Sequence, residues 1–319
     1  MEQMMHTDTA VLNDYLKAYT DYMPNSEACQ VNIANSIWFR DRDSLAINED
    51  FLKTSRNYYD ASIFEAPFDA GTRDDINSWV KKETNGMIQK LLEEAPPRDA
   101  VMYLVNALSF DGEWRDIYKK NQIHKGTFNA ENGEHQSAEF MYSTEAVYLE
   151  NTLGRGFLKP YGDGAYAFAA VLPDEGMTMK EFLERLKENG ITDLLEQTRN
   201  KTVCVRLPKF TVEYNVVLNE SLTESGMKDA FDSQKADFSS MAHSDNDNIY
   251  ISKVIHKTKI DVDEKGTKAG AVTAVEVSEG SAVQTEEPKE VFLDRPFFYM
   301  IIDTRQNFPL FMGCLMQLE

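Results

Sequence analysis

Five histidines (His6, His124, His135, His243, His256) and three cysteines (Cys29, Cys204, Cys314) are the side chains of this 319-residue chain best suited to metal ligation or nucleophilic catalysis. Their spacing supports neither chemistry. No histidine has a His or Cys neighbour at metal-ligand separation, and no Cys-x-x-Cys pair occurs. A Gly-x-Ser-x-Gly turn, a phosphate-cradling glycine loop ahead of a helix and a dinucleotide fingerprint are all missing from the sequence. The acidic pairs Asp74-Asp75 and Glu93-Glu94 fall on helix faces or ends, where solvated charge is the simpler reading than an acid/base pair. No metal, no cofactor and no enzymatic activity are therefore expected, and the cysteines read as small buried hydrophobes.

Two polar residues interrupt apolar strands. Asn106 lies within residues 101–110 (VMYLVNALSF), and His256 lies on the apolar side of residues 250–262. Each needs a hydrogen-bond partner if buried. A satisfied core pair is the plain reading; a polar clasp between two strands that must separate is the sharper one.

Residues 264–290 (EKGTKAGAVTAVEVSEGSAVQTEEPKE) are the most informative stretch. They have no helical period, and at this length they exceed an ordinary loop of a compact domain. A flexible acidic linker is one reading. Alternation supports another: Thr267, Ala269, Ala271, Thr273, Val275 and Val277 are uncharged and small or β-branched, whereas Lys268 and Glu276 fall on the opposite parity. Period two over a dozen residues describes a strand with one buried face, here latent within a loop. Small inward residues would let it enter a sheet without overpacking the core beneath.

The elements around these residues follow from periodicity. Residues 8–23 and 74–94 read as helices, the second weakened at Gly86 and ended by Pro96-Pro97; residues 218–231 are expected to be helical as well. Thr178 and Glu181 form a capping box, with Met179, Phe182, Leu183 and Leu186 as the buried face. Residues 33–39, 101–110, 157–161, 166–172, 203–207, 210–216 and 250–262 read as strands, and 297–302 with 308–315 as a buried hairpin. No compositional break or repeat divides the chain, so one domain over residues 1–319 is expected. Fifty-three acidic against 33 basic residues give a formal charge of −20, which argues against nucleic acid and anionic membranes as partners. No apolar run approaches the roughly 20 residues of a membrane span, and the first residues carry no signal-peptide pattern.

Glu264-Lys265-Gly266-Thr267 and the small residues after it resemble the reactive-loop hinge of inhibitory serpins. Residues 291–301 (VFLDRPFFYMI) and Phe311-Met312-Gly313 are similar to the C-terminal signature of that family. Residues 106–114 (NALSFDGEW), Leu207-Pro208-Lys209-Phe210 and the helix beginning Ile76-Asn77-Ser78-Trp79-Val80 extend the likeness in the family's order, from about residue 8 to the end. The resemblance, to a bacterial-type member, implies an α+β serpin fold: a large mixed central β-sheet, two smaller sheets, surrounding helices and an exposed reactive loop at 264–290. Nothing ahead of residue 8 matches the family's N-terminal helices, so an N-terminally truncated member is expected.

The resemblance implies a suicide-substrate inhibitor of serine, or sometimes cysteine, proteases rather than an enzyme. A protease cleaves the loop, the loop inserts as a strand, and the acyl-enzyme is trapped. Carried over by residue, Glu264, Gly266, Thr267, Ala269 and Ala271 form the hinge and Asn106 with His256 the shutter. Trp114 and Lys209 belong to the breach where the loop enters, with Glu264 pairing Lys209. Reactive-bond candidates are Gly280, Ser281, Ala282 and Val283, whose small side chains favour an elastase-like protease over a trypsin-like one. A monomer is expected, extracellular or at the cell surface by resemblance. The absence of a basic cluster in residues 8–23 argues against heparin-type polyanions. A non-inhibitory protein of the same fold (a protease substrate or small-ligand carrier), an inactive fragment, and an acidic interaction module are the alternatives.

Overall fold

The computed structural model describes residues 7–41, 44–97, 100–196, 198–245, 248–251, 254–267 and 288–318. In chain order these contain helix α1 (Thr9–Asp21), strands β1 (Cys29–Arg40) and β2 (Leu45–Ile47), α2 (Glu49–Tyr59), β3 (Ser62–Ala66), α3 (Ala70–Glu83) and β4 (Met102–Glu113). There follow β5 (Ile123–Asn129), β6 (His135–Glu145), β7 (Val147–Glu150), β8 (Gly154–Pro160), β9 (Tyr166–Pro173), α4 (Met179–Asn189), α5 (Ile191–Glu196), β10 (Thr198–Arg199), β11 (Val203–Pro208) and β12 (Phe210–Val217). The last are α6 (Asn219–Glu224), β13 (Ala242–Ser244), β14 (Ile255–Val262), β15 (Gly266–Thr267), β16 (Lys289–Phe292), β17 (Phe297–Asp303) and β18 (Phe308–Leu315).

A six-stranded sheet runs in the order β12-β14-β15-β4-β1-β3, a second in the order β10-β7-β8-β9-β17-β18, and a four-stranded sheet in the order β16-β11-β6-β5. The chain divides into two compact units: Met1–Met23, Val31–Ser109 and Glu213–Lys259 form the first, and Pro24–Gln30, Phe110–Val212 and Ile260–Glu319 the second. Strands β1, β4, β12 and β14 each contribute one portion to each unit.

In the first unit, β1 pairs in parallel with β3 from Ser36↔Ser62 to Arg40↔Ala66. Trp38, Ile76, Val80, Ile88, Leu92, Val105 and Ala107 form its buried cluster. Helix α3 starts on a capping box of Asp69 and Thr72 and ends at Glu83, well short of the expected residue 94. Asn85 and Gly86 both take left-handed backbone (φ 50° and 73°), which breaks the helix while leaving Met87, Ile88 and Leu92 buried. Asn77 closes this turn: its Oδ1 accepts the N–H groups of Leu91 and Leu92, both at 2.8 Å, and its Nδ2 donates to Leu92 O at 2.8 Å. An Asn77→Ala variant orphans three backbone groups, two of them on buried Leu92 and one on half-buried Leu91, and is expected to lose about 2–4 kcal/mol of stability, read as a lower urea midpoint with unchanged slope.

Three other elements depart from expectation. Helix α1 is present, capped by Asp8, with Leu12, Leu16 and Tyr19 half-buried but Val11 and Tyr15 of the same apolar stripe exposed; Asn13 is buried, and its Oδ1 accepts from the Tyr59 hydroxyl of α2 at 2.5 Å. Residues 218–231 form only the short α6 and a 3₁₀ turn at Asp229–Phe231. Strand β14 begins at Ile255, because Val254 is tied to the start of α6 through Leu218 N–H and Asn219 Oδ1.

The second unit holds the longest apolar strands. All eight residues of β9 are buried, paired on one side with β8 and on the other with β17, and β17 closes the hairpin with β18. Helix α4 has the capping box at Thr178 and Glu181 and buries Met179, Phe182 and Leu186, with the Phe182 ring 5.7 Å from Phe298; Leu183 is exposed, at the margin of that face. The turn Glu131-Asn132-Gly133 joins β5 to β6. Among the described residues no helix is long and apolar enough to cross a membrane.

Candidate functional site: the loop hinge

The hinge is built in the second unit from the end of β4, the turn after it, the end of β14 and the two-residue strand β15. Asp263 makes the bend between β14 and β15. Its N–H donates to Gly266 O at 2.9 Å, and its Oδ1 accepts from Lys265 N at 2.7 Å and Gly266 N at 3.1 Å. Strand β15 then runs antiparallel to both neighbours, with Val262↔Thr267 on one side and Gly266↔Glu113 and Thr267↔Gly112 on the other. The first residues of the long loop therefore already occupy a strand position between β14 and β4.

Close packing explains the residue types. A Cβ on Gly266 would lie 2.0 Å from Gly112 O, so only glycine fits against β4 there. Thr267 is 1% exposed, and its Oγ1 lies 2.5 Å from the Tyr161 hydroxyl. Burial holds the Tyr161 phenol well above its ordinary range, so the hydroxyl stays protonated. Trp114 stacks on Tyr161 with ring centroids 4.3 Å apart, and its Nε1 donates to Asp263 O at 2.9 Å. The backbone beside it completes the seat: Trp114 N–H donates to Lys265 O at 2.8 Å and Tyr118 N–H to Glu264 O at 2.9 Å.

Lys209 sits at the start of β12 with two carboxylates, Glu264 at 2.7 Å and Glu139 at 3.0 Å. The Lys209 hydrogen bond lowers the Glu264 carboxyl below its ordinary range. The Lys209 ammonium is desolvated, which opposes its charge, but its bonds to Glu264 and Glu139 outweigh this and raise it. The pair thus contributes at neutral pH; its contribution falls on acidification through the lowered Glu264 range and on alkalinisation through the raised lysine range. Both groups are partly solvated, so the contact is worth about 1 kcal/mol or less. Glu264→Lys replaces it with repulsion at the top of β14 and is expected to promote self-insertion or polymerisation. Size-exclusion chromatography after mild heating checks this; a monomeric variant with unchanged inhibition contradicts it.

Other residues singled out in the sequence lie elsewhere. Asn106 is in the first unit and exposed; its Nδ2 donates to Asn35 Oδ1 at 2.9 Å, and His256 is exposed too. The expectation of a buried core pair is corrected. On the same face as Asn106, Leu104 is 55% exposed and Ile33 is exposed as well, so none of the described elements covers it. Ala269, Ala271, Gly280, Ser281, Ala282 and Val283 lie outside the described residues. Cys29 is buried, and burial pushes its thiol up to about 12; Cys204 and Cys314 are half-buried, with Cys314 raised to about 11 by the same cause. Tyr161, Asp263 and Gly112 complete the hinge but were not read from the sequence. The one available signal was Tyr161, a polar aromatic closing the apolar run of residues 157–161.

The family model described as Serpin (serine protease inhibitor) matches residues 1–318. The chain belongs to the serpin family. An uncharacterized serpin-like protein of Methanosarcina mazei is 30% identical over 315 residues, covering 96% of this serpin and 72% of the relative. The native-state crystal structure of tengpin, a thermophilic serpin, superposes with a TM-score of 0.92 at 44% identity, covering 99% of this chain and 81% of that one. The latent-state structure of tengpin gives a TM-score of 0.84 at 44% identity, with coverage of 97% and 82%. The α+β serpin fold is thereby established for this chain, with the native form of that relative the better match.

Proposed function

We propose that this serpin is a suicide-substrate inhibitor of serine proteases, with an elastase-like enzyme as the target class. The observation that carries the reading is the seating of Gly266 and Thr267 as a short strand between β14 and β4. Loop insertion in serpins is itself an established example of strand addition and of stored strain released by a switch. In this reading the protease serine attacks the loop and forms an acyl-enzyme. The new chain end withdraws as residues 268 onward follow Thr267 into the sheet, and the attached protease is carried away from its resting position. Distortion of its oxyanion hole and triad then stalls deacylation.

Glu264, Gly266, Thr267, Ala269 and Ala271 act as the hinge, Trp114 and Lys209 as the breach, and Asn106 with His256 as the shutter. The two compact units work as a single inhibitory domain carrying the loop 264–290, without catalytic activity of its own. The protein acts as a monomer outside the cell or at its surface. The open face bearing Leu104 and Asn106 favours the second reading, a serpin-fold protein that is cleaved without trapping its protease.

Small residues at Gly280, Ser281, Ala282 and Val283 support the target class, because a pocket built for Arg or Lys finds no partner there. Mass spectrometry of the C-terminal fragment released by an elastase-like protease should place the cut within residues 280–285. Cleavage confined to another segment would remove the basis for that target class.

A further inference from the structure

Next to the hinge, still within the second unit, lies an ion pair that makes no direct contact with loop residues 264–267 among the interactions described above. Lys159 of β8 reaches Glu145 at the end of β6, Nζ to Oε1 2.9 Å, with side chains only 2% and 7% exposed. The same ammonium donates to Asp116 O at 3.3 Å and lies 4.5 Å from the Tyr118 ring centroid and 5.4 Å from that of Trp114. Glu145 is held in turn: Ser143 Oγ donates to its Oε1 at 2.6 Å, and the Tyr118 hydroxyl lies 3.2 Å from Ser143 Oγ. The contacts close a ring: Lys159, Glu145, Ser143, Tyr118 and back to Lys159.

Such a pair is a poor source of stability, because desolvating both charges offsets most of their attraction. What it fixes is the geometry of residues 114–118, gripped at Trp114, Asp116 and Tyr118. That turn is the one whose Trp114 and Tyr118 N–H groups hold Lys265 and Glu264. We propose that Lys159, oriented by Glu145, is a positioning residue for the hinge: it holds the 114–118 turn in the arrangement that keeps β15 seated between β4 and β14. Its bearing on inhibition rests on the function proposed above; its bearing on hinge order does not.

The test is a double variant, Lys159→Met with Glu145→Gln, which removes both charges at nearly constant volume. Hydrogen–deuterium exchange is followed in peptides covering residues 112–118 and 262–267, beside a thermal melt. Exchange in those two peptides is expected to be about tenfold faster, with β9 and β17 unchanged and the melting temperature within about 3 °C of the parent. With a protease that the parent traps, the cleaved fraction should rise about threefold relative to complex. Unchanged exchange in both peptides, or a uniform rise across all peptides that tracks a lower melting temperature, overturns the proposal. Should the double variant not fold, Ser143→Ala removes one donor to Glu145, and the same two peptides must still exchange faster than the parent. If the parent traps no protease, the inhibitory reading fails while the exchange result still decides the role of Lys159.

Discussion

A Thr267→Arg variant is expected to be cleaved by an elastase-like protease as fast as the parent but to retain almost none of it. Thr267 is 1% exposed, hydrogen-bonded to Tyr161 and paired with Gly112 of β4. Placing a guanidinium there costs several kcal/mol without a compensating carboxylate. The arginine unseats β15 from between β14 and β4, so insertion must then bury the guanidinium and its barrier rises, while the hydrolysis that competes with it is untouched. Each 1.4 kcal/mol added to insertion shifts the partition about tenfold towards hydrolysis. The number of inhibitor molecules consumed per protease trapped should therefore rise by about a hundredfold or more. Thr267→Ser keeps a small side chain and the hydroxyl, and should leave the partition near the parent value. An arginine variant with unchanged stoichiometry would exclude Thr267 from the insertion path.

The second large effect is expected at Gly266. Its missing Cβ leaves room for Gly112 O, which would otherwise be 2.0 Å away, and for Glu113 Cα, which would be 2.9 Å away. These are backbone atoms of β4, so neither can yield by rotating a side chain. Gly266→Val must push β15 off β4, breaking the Gly266↔Glu113 and Thr267↔Gly112 pairing, with overpacking strain of about 1–3 kcal/mol. The variant should show rapid amide exchange across residues 263–267, a melting temperature lower by several degrees and strongly impaired trapping. Full protection of those amides would mean that the sheet accommodates a side chain there, contrary to the packing described.

Apolar patterning made some of the molecule legible and left other parts opaque. The continuous run in β9 and the 297–315 hairpin were readable because strands covered on both faces need unbroken hydrophobicity. Helix α1 was readable as a helix but only partly in its orientation, since periodicity names an apolar face without naming what it meets; Val11 and Tyr15 point to solvent. The extent of α3 was overestimated because the apolar spacing continues past Gly86 although the backbone does not. Asn106 and His256 looked buried because their strands are apolar, a property of composition that does not show whether anything lies on top.

The hinge divides in the same way. Period-two alternation from Thr267 was visible in the residues themselves, whereas the pairing of Lys209 with Glu264 and the place of Trp114 came only through family likeness, since no spacing brings residues 114, 209 and 264 together. The ion pair of Lys159 and Glu145 was open to notice as a lone charge in FLKPY, but its partner could not be named. Their meeting depends on the fold of β6 and β8, and on the register that sets Val147 opposite Leu158.

The proposed inhibition turns on one event, insertion of the cleaved loop with the protease still attached. Incubating the protein with pancreatic elastase and resolving the products on a denaturing gel tests it directly. A heat- and detergent-stable band at the summed mass of protease and inhibitor is the predicted result. Complete cleavage to free fragments, with no such band at any ratio of the two proteins, would contradict it.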